Sequence, residues 1–338
     1  MKFEKQIKAG GARRSVNGTS GKPPVARCGG SRLALAIAVF IVTGAAAGQS
    51  LYKYQDENGE WIYTDRPPPA EQTVEIRALP TGSKPPTVSI TTRITDHELQ
   101  FVARNEYFAH VEVVLALDEL INVESPAADQ ALRWVLEPRS ELEIMTLAAS
   151  GGGQAPAVKF RYLSLHGDPR SKHAPRRPYR APFAVASDYN VTQAFPLGVT
   201  HNTADSRYAV DFAMPVGTDI HAARGGVVFE VASTNFRGGT DRERDAPAAN
   251  IVRILHDDGT HAVYAHLNWN SIRVQPGDEV ERGEYIADSG NTGFSSGPHL
   301  HFAVLKNVGM RIDSVPVTFE GPNSAEIRPT AGISLTAY

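Results

Sequence analysis

Near the C-terminus two imidazoles alternate with two apolar side chains, in the run His299-Leu300-His301-Phe302. In a strand, residues two apart share a face and their neighbours face the other way. His299 and His301 are therefore expected on one face of a strand, with Leu300 and Phe302 on the opposite, buried face. Two imidazoles on one face suit metal binding or paired acid–base work, although any one of them alone could be a satisfied polar residue. Two further runs share this character. In Val210-Asp211-Phe212, the carboxylate stands opposite two apolar residues. In the run from His261 to Leu267, His266 ends a strand and is expected to share a face with Tyr264.

At 338 residues the chain exceeds one small module, and two or three domains are expected. An apolar fraction of 41% with 21% charged residues excludes a wholly disordered chain. The 23 prolines and 29 glycines call for many turns, which favours β structure. One cysteine, Cys28, excludes an internal disulfide and a cysteine zinc cluster. Any metal site must use His, Asp or Glu.

Residues 1–47 read as an export signal. Basic residues from Lys2 to Arg32, against the single acid Glu4, precede the apolar run Leu33–Val42 and then Ala45-Ala46-Ala47. That is the order of a secretory signal, with cleavage expected after Ala47. An uncleaved membrane anchor is the alternative, although the run is short for a full span of about 20 residues. Both readings put the remainder in the periplasm or cell envelope. Without residues 1–47 the chain is net acidic, which argues against nucleic acid as a partner.

A small hairpin domain is expected over 48–69, where Tyr52, Tyr54, Trp61 and Tyr63 flank Asn58-Gly59, a two-residue turn signal. It resembles a small N-terminal domain common in secreted proteobacterial proteins. A linker is expected over 70–87. Short alternating runs over 88–166 suggest a β-sandwich-like domain, with Val111, Val113, Leu115 and Leu117 on one face. His97 and His110 in that stretch read as surface or structural residues. A basic, proline-rich linker follows at 167–182, then a domain at 183–320 and a tail at 321–338. The expected fold is mainly β and multidomain.

The domain at 183–320 carries three informative blocks: Thr200–Val228, Asn250–Leu267 and Gly290–Val304. Their strings VDFAMPVGT, YAHL and GNTGFSSGPHLHF, with Ala222 to Val227 as A-x-x-G-x-V, resemble the lysostaphin-like (LytM-domain) zinc endopeptidase family. The resemblance covers about 130 residues. It implies an antiparallel β-sheet metallopeptidase domain, a Zn²⁺ cofactor and peptidoglycan peptides as substrate. By position it implies Asp211 and His301 as metal ligands and His266 and His299 as catalytic. The family's first ligand is a His four residues before the Asp, and here that position is Arg207. A guanidinium stays protonated and cannot ligate zinc. His201, ten residues before Asp211, is expected to swing in as the third ligand. Asp205 completes a literal H-x-x-x-D with His201 but is read as loop.

The chemistry suits these residue types. Zinc held by three protein ligands keeps a position for water and lowers its pKa to about 7. A neutral imidazole can take the water proton and a second can assist the departing amine. His266 is expected as general base and His299 as the assisting group, with the two roles exchangeable. Ser295 and Ser296 are not read as nucleophiles, because no G-x-S-x-G elbow is present. Tyr264 is expected to pack, Asn250 to secure a turn or strand start, and His221, His256 and His261 to be non-catalytic. The stretch from Val274 to Gly290 is expected to form a hairpin. A second reading is a catalytically inactive regulator of the same fold that binds and activates a cell-wall amidase, and Arg207 is its main support. A biotinyl- or lipoyl-type carrier is set aside, since no lysine sits at a suitable hairpin tip.

Overall fold

The computed structural model describes three strands between residues 50 and 78 by their backbone, and residues 85–338 apart from 96, 127–130 and 152–154. The expected signal or anchor at 1–47 and the Asn58-Gly59 turn lie outside the described residues. No helix of the described residues is long and apolar enough to cross a membrane. The three strands fall in one compact unit and residues from 85 onward in another.

In the first unit, β1 (Ser50–Gln55), β2 (Trp61–Thr64) and β3 (Glu75–Ala78) form an antiparallel sheet in the order β2-β1-β3. The β1–β2 pairing sets Gln55 opposite Trp61. A two-residue turn at Asn58-Gly59 would set it opposite Ile62. The hairpin partner is as expected, but its ladder is shifted by one residue.

In the second unit, β4 (Val88–Ile94), β5 (Glu98–Asn105), β6 (Val111–Ile121), β7 (Arg133–Leu136), β8 (Glu141–Ala148) and β9 (Ala157–His166) pair as two three-stranded sheets, β4-β5-β8 and β7-β6-β9. Their inner faces share one core of Leu99, Phe101, Val111, Val113, Leu115 and Leu136, among others. Burying each such side chain is worth about 1.5–3 kcal/mol. Alternation along β6 holds, yet the intervening Glu112 is also fully buried. Its Oε2 accepts from the amide of Asn307 and from the backbone N–H of Met310, both at 2.7 Å, and Arg133 lies 3.3 Å from Oε1. Around Glu112 the outer face of this sheet is therefore covered by the following domain.

That domain is built from β10 (Asp188–Gln193), β11 (Val210–Ala213), β12 (Asp219–His221), β13 (Gly226–Ala232), β14 (Gly238–Gly239), β15 (Ile251–Leu255), β16 (His261–Ala265), β17 (Glu279–Val280), β18 (Tyr285–Asp288), β19 (Gly293–Phe294), β20 (His299–Asn307), β21 (Ile312–Ser314), β22 (Phe319–Glu320), β23 (Glu326–Ile327) and β24 (Ser334–Thr336). Among the described residues the main sheet has nine strands, in the order β17-β13-β15-β16-β20-β11-β10-β24 with β21 on β20, and its strand pairs are antiparallel. One face packs the core around Phe212, Tyr264, Leu300 and Phe302. The other carries short side chains, Ala213, Ala265 and Ala303, which leave room beside the longer polar residues.

Four expectations about the chain's layout change. The stretch 70–87 is not only a linker: β3 at Glu75–Ala78 pairs with β1 as the third strand of the first unit's sheet. The stretch 167–182 is not a free linker: Tyr179 and Ala181 lie in the core of the second domain, because an aromatic ring among basic residues still has apolar surface to bury. The stretch 321–338 is not a free tail: β24 pairs with β10, and Leu335 and Ala337 are buried. The stretch from Val274 to Gly290 is not a hairpin: β17 pairs with β13 and β18 with β12, so its two strands join different sheets.

The segment 167–182 is pinned by Asp258. Its carboxylate accepts from Thr260, the backbone N–H of Ala174 and Arg224, which also reaches the Tyr179 hydroxyl. Burial opposes ionisation of Asp258, but these donors outweigh it and hold the carboxyl well below its usual range. A depressed carboxyl stabilises the fold above its unfolded pKa of about 3.9 and loses that contribution as pH falls through the folded value. We predict that Asp258→Ala costs about 1–3 kcal/mol at neutral pH. The gap from the parent should be constant down to about pH 4 and shrink below it, as read by denaturant unfolding across pH.

Candidate active site

The register of four adjacent strands builds the site. Ala265 on β16 pairs with His301 on β20, His301 with Asp211 on β11, and Asp211 with Gln193 on β10. Ala213 pairs with His299. Asp211, His299 and His301 therefore stand on the face opposite Phe212, Leu300 and Phe302, as the two-residue period of their sequences requires. All three line a cavity of about 610 Å³.

His266 reaches that cavity by a different route. Tyr264 is fully buried in the core on the other face, its hydroxyl accepting from the backbone N–H of Ala223 at 2.7 Å. His266 does not share its face. It lies one residue past β16 at φ 63°, a left-handed conformation uncommon outside glycine, and the ladder's alternation has ended there. This swing turns its ring toward His299, with ring centroids 4.5 Å apart.

His201 comes from the loop between β10 and β11. Its Nε2 lies 3.2 Å from Asp211 Oδ1, and His301 Nδ1 lies 2.9 Å from the same oxygen. One ligand atom from each of His201, Asp211 and His301 falls within 4.8 Å of the others. Both ring nitrogens of His201 are buried; Nδ1 has no partner, and Nε2 meets only the Asp211 carboxylate, outside hydrogen-bond geometry. A buried ring nitrogen without a hydrogen bond is costly unless something else occupies its lone pair. Two imidazoles and a carboxylate converging with such an orphaned nitrogen fit a divalent metal of the zinc type. Arg207 is turned away: its guanidinium lies over the rings of Phe195 and Tyr208, at 5.2 and 5.5 Å from their centroids. Asp205 sits in the loop, its carboxylate accepting from Thr203.

Burial opposes ionisation of Asp211, but contacts with His201 and His301 prevail and hold its carboxyl far below the usual range. His266 Nδ1 lies 2.7 Å from the carbonyl of Thr292, and His299 Nδ1 lies 2.8 Å from that of Gly297. A carbonyl only accepts, so both Nδ1 atoms carry hydrogen, and in a neutral ring of this tautomer Nε2 keeps the lone pair. Burial, then the neighbouring His299 and His301, press the His266 pKa down to about 3.

Sequence reasoning missed Gln193 and Thr200. Gln193 Nε2 donates to Asp211 Oδ2 at 2.7 Å, and Gln193 Oε1 accepts from the backbone N–H of Thr200 at 3.0 Å. Nothing in the string Thr192-Gln193-Ala194 marks it. Thr292 is also a support, through its carbonyl, and lay within a string already singled out. Asn250 holds strand starts, taking Thr292 Oγ1 as acceptor and giving its amide to Leu267 and Asn235 carbonyls. His221, His256 and His261 do not line the cavity.

Residues 205–314 match Peptidase family M23, and residues 38–90 match a domain of unknown function, DUF4124. Residues 205–314 are a peptidase family M23 domain. The matched stretch includes Asp211, His266, His299 and His301 but begins after His201. Members of the family are metal-dependent, in keeping with the His-His-Asp cluster. The chain is 37% identical over 114 residues to glycyl-glycine endopeptidase ALE-1 of Staphylococcus capitis, covering 33% of this chain and 27% of that protein. It is 31% identical over 145 residues to peptidoglycan DD-endopeptidase ShyA of Vibrio cholerae, covering 43% of this chain and 30% of that protein. The matches thus span less than a third of either relative's length. Among solved structures, the catalytic domain of the prophage-encoded M23 protein EnpA of Enterococcus faecalis is 28% identical, with 40% of this chain and 92% of that chain covered and a TM-score of 0.30.

A folded-state pKa pressed below the usual imidazole value means that His266 stays neutral as pH falls through 6.5, the ordinary range. We expect ¹⁵N NMR to show His266 as the Nδ1–H tautomer with no titration between about pH 5 and 8. A midpoint near 6.5 would contradict this.

Proposed function

We propose that the C-terminal domain is a zinc-dependent endopeptidase that hydrolyses peptide bonds in the cross-links or stem peptides of peptidoglycan. The observation that carries this reading is the convergence of His201, Asp211 and His301 beside two imidazoles whose Nε2 atoms are free to exchange protons. His201, Asp211 and His301 would hold the metal. When bound, zinc polarises the scissile carbonyl and acidifies the attacking water.

The rest of the work falls to this chain's own groups. His266, neutral and with Nδ1–H fixed on Thr292, accepts the water proton at Nε2. His299, fixed in the same tautomer on Gly297, presents its Nε2 to the departing amine or the developing oxyanion. The short side chains Ala213, Ala265 and Ala303 keep the floor low, so an extended peptide can lie across the sheet face beside these groups. Arg242 and Phe294 line the same groove. The peptidoglycan assignment draws support from the relatives named for that activity, and the export signal read in residues 1–47 supports action in the periplasm or cell envelope.

The competing reading, an inactive regulator of an amidase, drew on Arg207. In this chain the departure at that position is matched by His201 standing within 3.2 Å of Asp211. The peptidase reading is therefore the better supported.

The test is digestion of purified peptidoglycan sacculi by the full chain, with products resolved by chromatography. We expect release of peptide-cleaved fragments that a chelator stops and zinc restores. His266→Ala and His299→Ala should each slow release by on the order of 10²–10⁴. Cleavage insensitive to chelator, or losses below about tenfold in both variants, would sink the reading.

A further inference from the structure

We propose that Gln193 is a positioning residue that clamps His201 into the metal-binding set, in place of the ligand that Arg207 cannot provide. The inference rests on the metallopeptidase reading above and concerns how this chain completes its site.

Asp211 and His301 need no special device, because they face each other across paired strands. His201 has no such support. It lies in a loop ten residues before Asp211 and outside the part of the chain that matches the peptidase family. A ligand on an untethered loop would lose ordering entropy each time the metal bound, and affinity would fall accordingly.

Gln193 supplies the tether. Its Nε2 donates to Asp211 Oδ2 at 2.7 Å and lies 3.0 Å from Thr200 Oγ1, while its Oε1 accepts from the Thr200 N–H at 3.0 Å. One carboxamide thus joins the carboxylate ligand to the residue next to His201. The chain between them doubles back, with the Ala194 N–H donating to the Leu197 carbonyl. Gly198 lies so close that an added Cβ would stand 2.7 Å from His201 Cβ.

The backbone is shaped for this purpose. Val191 pairs with Phe212 and points into the core, so simple alternation would send Gln193 into the core as well. Instead the pairing steps from Val191↔Phe212 to Gln193↔Asp211, two residues on β10 against one on β11. This bulge turns Gln193 onto the site face, a use of bulges common beside active sites. The side-chain type is also constrained. A carboxamide of this length offers a donor to the carboxylate and an acceptor to the amide at once. Asparagine is one methylene short, and leucine keeps the volume but makes none of the bonds.

The experiment measures zinc affinity of the full chain by competition with a chromophoric chelator. Four proteins are compared: the parent, Gln193→Ala, His201→Ala and the double variant. Gln193→Leu, nearly isosteric, is measured alongside should the alanine variant fail to fold. Circular dichroism of the metal-free proteins checks that the fold is kept. We expect either Gln193 variant to weaken zinc binding by about 10–100-fold, the range for groups that orient metal ligands. In the His201→Ala background the same substitution should cost less than about threefold, because a clamp has nothing left to hold. Parent-like affinity in a folded Gln193 variant overturns the inference. So does an equal loss in both backgrounds, which would mean that Gln193 acts on Asp211 alone. A parent that binds no zinc instead overturns the metallopeptidase reading itself, and the clamp with it.

Discussion

Asp211 is a carboxylate buried at the centre of a sheet, and the site depends on what makes that burial tolerable. An isolated buried charge would be protonated or expelled. Here one oxygen faces His201 and His301 and the other receives the Gln193 amide. The four groups come from three neighbouring strands and one loop, so the carboxylate ties their positions together. Removing it would leave two imidazoles without an anion and the loop without an anchor. The same arrangement prepares the set for a divalent cation, since the negative charge is already fixed where the ligand atoms meet.

Strand β20 links this site to the rest of the molecule. One end carries His299 and His301; the other ends at Asn307, whose amide reaches the buried Glu112 of the preceding domain. Near that junction Gly277, at φ 104°, sits against the ring of Phe108, where a Cβ would approach to 2.8 Å. His166 lies between the rings of Tyr107 and Phe229. The upstream sheets are thus packed onto the peptidase domain through specific polar and aromatic contacts, and the strand that positions two of the histidines is held at both ends. Separating the domains would forfeit the bonds that Asn307 and Met310 make to the Glu112 carboxylate.

What was legible in the sequence followed local periodicity. His299, His301 and Asp211 lie in short runs where one polar residue alternates with apolar ones, and strand geometry alone puts them on one face. His266 was recognised, but its link to Tyr264 was misread, because a single left-handed residue ends the alternation. Gln193 was invisible for a related reason: a bulge reverses the face it occupies, and bulges leave no mark in an ordinary string such as Val191-Thr192-Gln193. The buried Glu112 looked like the solvent side of a strand, since alternation reports one packed face and cannot say that a neighbouring domain covers the other. Likewise the stretch at 167–182 read as a linker from its prolines and basic residues and that at 321–338 as a tail, while a few apolar residues, Tyr179, Leu335 and Ala337, decide that they are packed.

The central claim is that His201, rather than a residue four positions before Asp211, completes the metal set. Anomalous diffraction at the zinc edge, on crystals of the full chain grown with zinc, tests this directly. The account predicts one strong peak at bonding distance, about 2.0–2.2 Å, from a nitrogen of His201, a nitrogen of His301 and an oxygen of Asp211, with Arg207 still on Phe195 and Tyr208. A peak that leaves His201 unbonded, or no peak at Asp211 and His301, would contradict it.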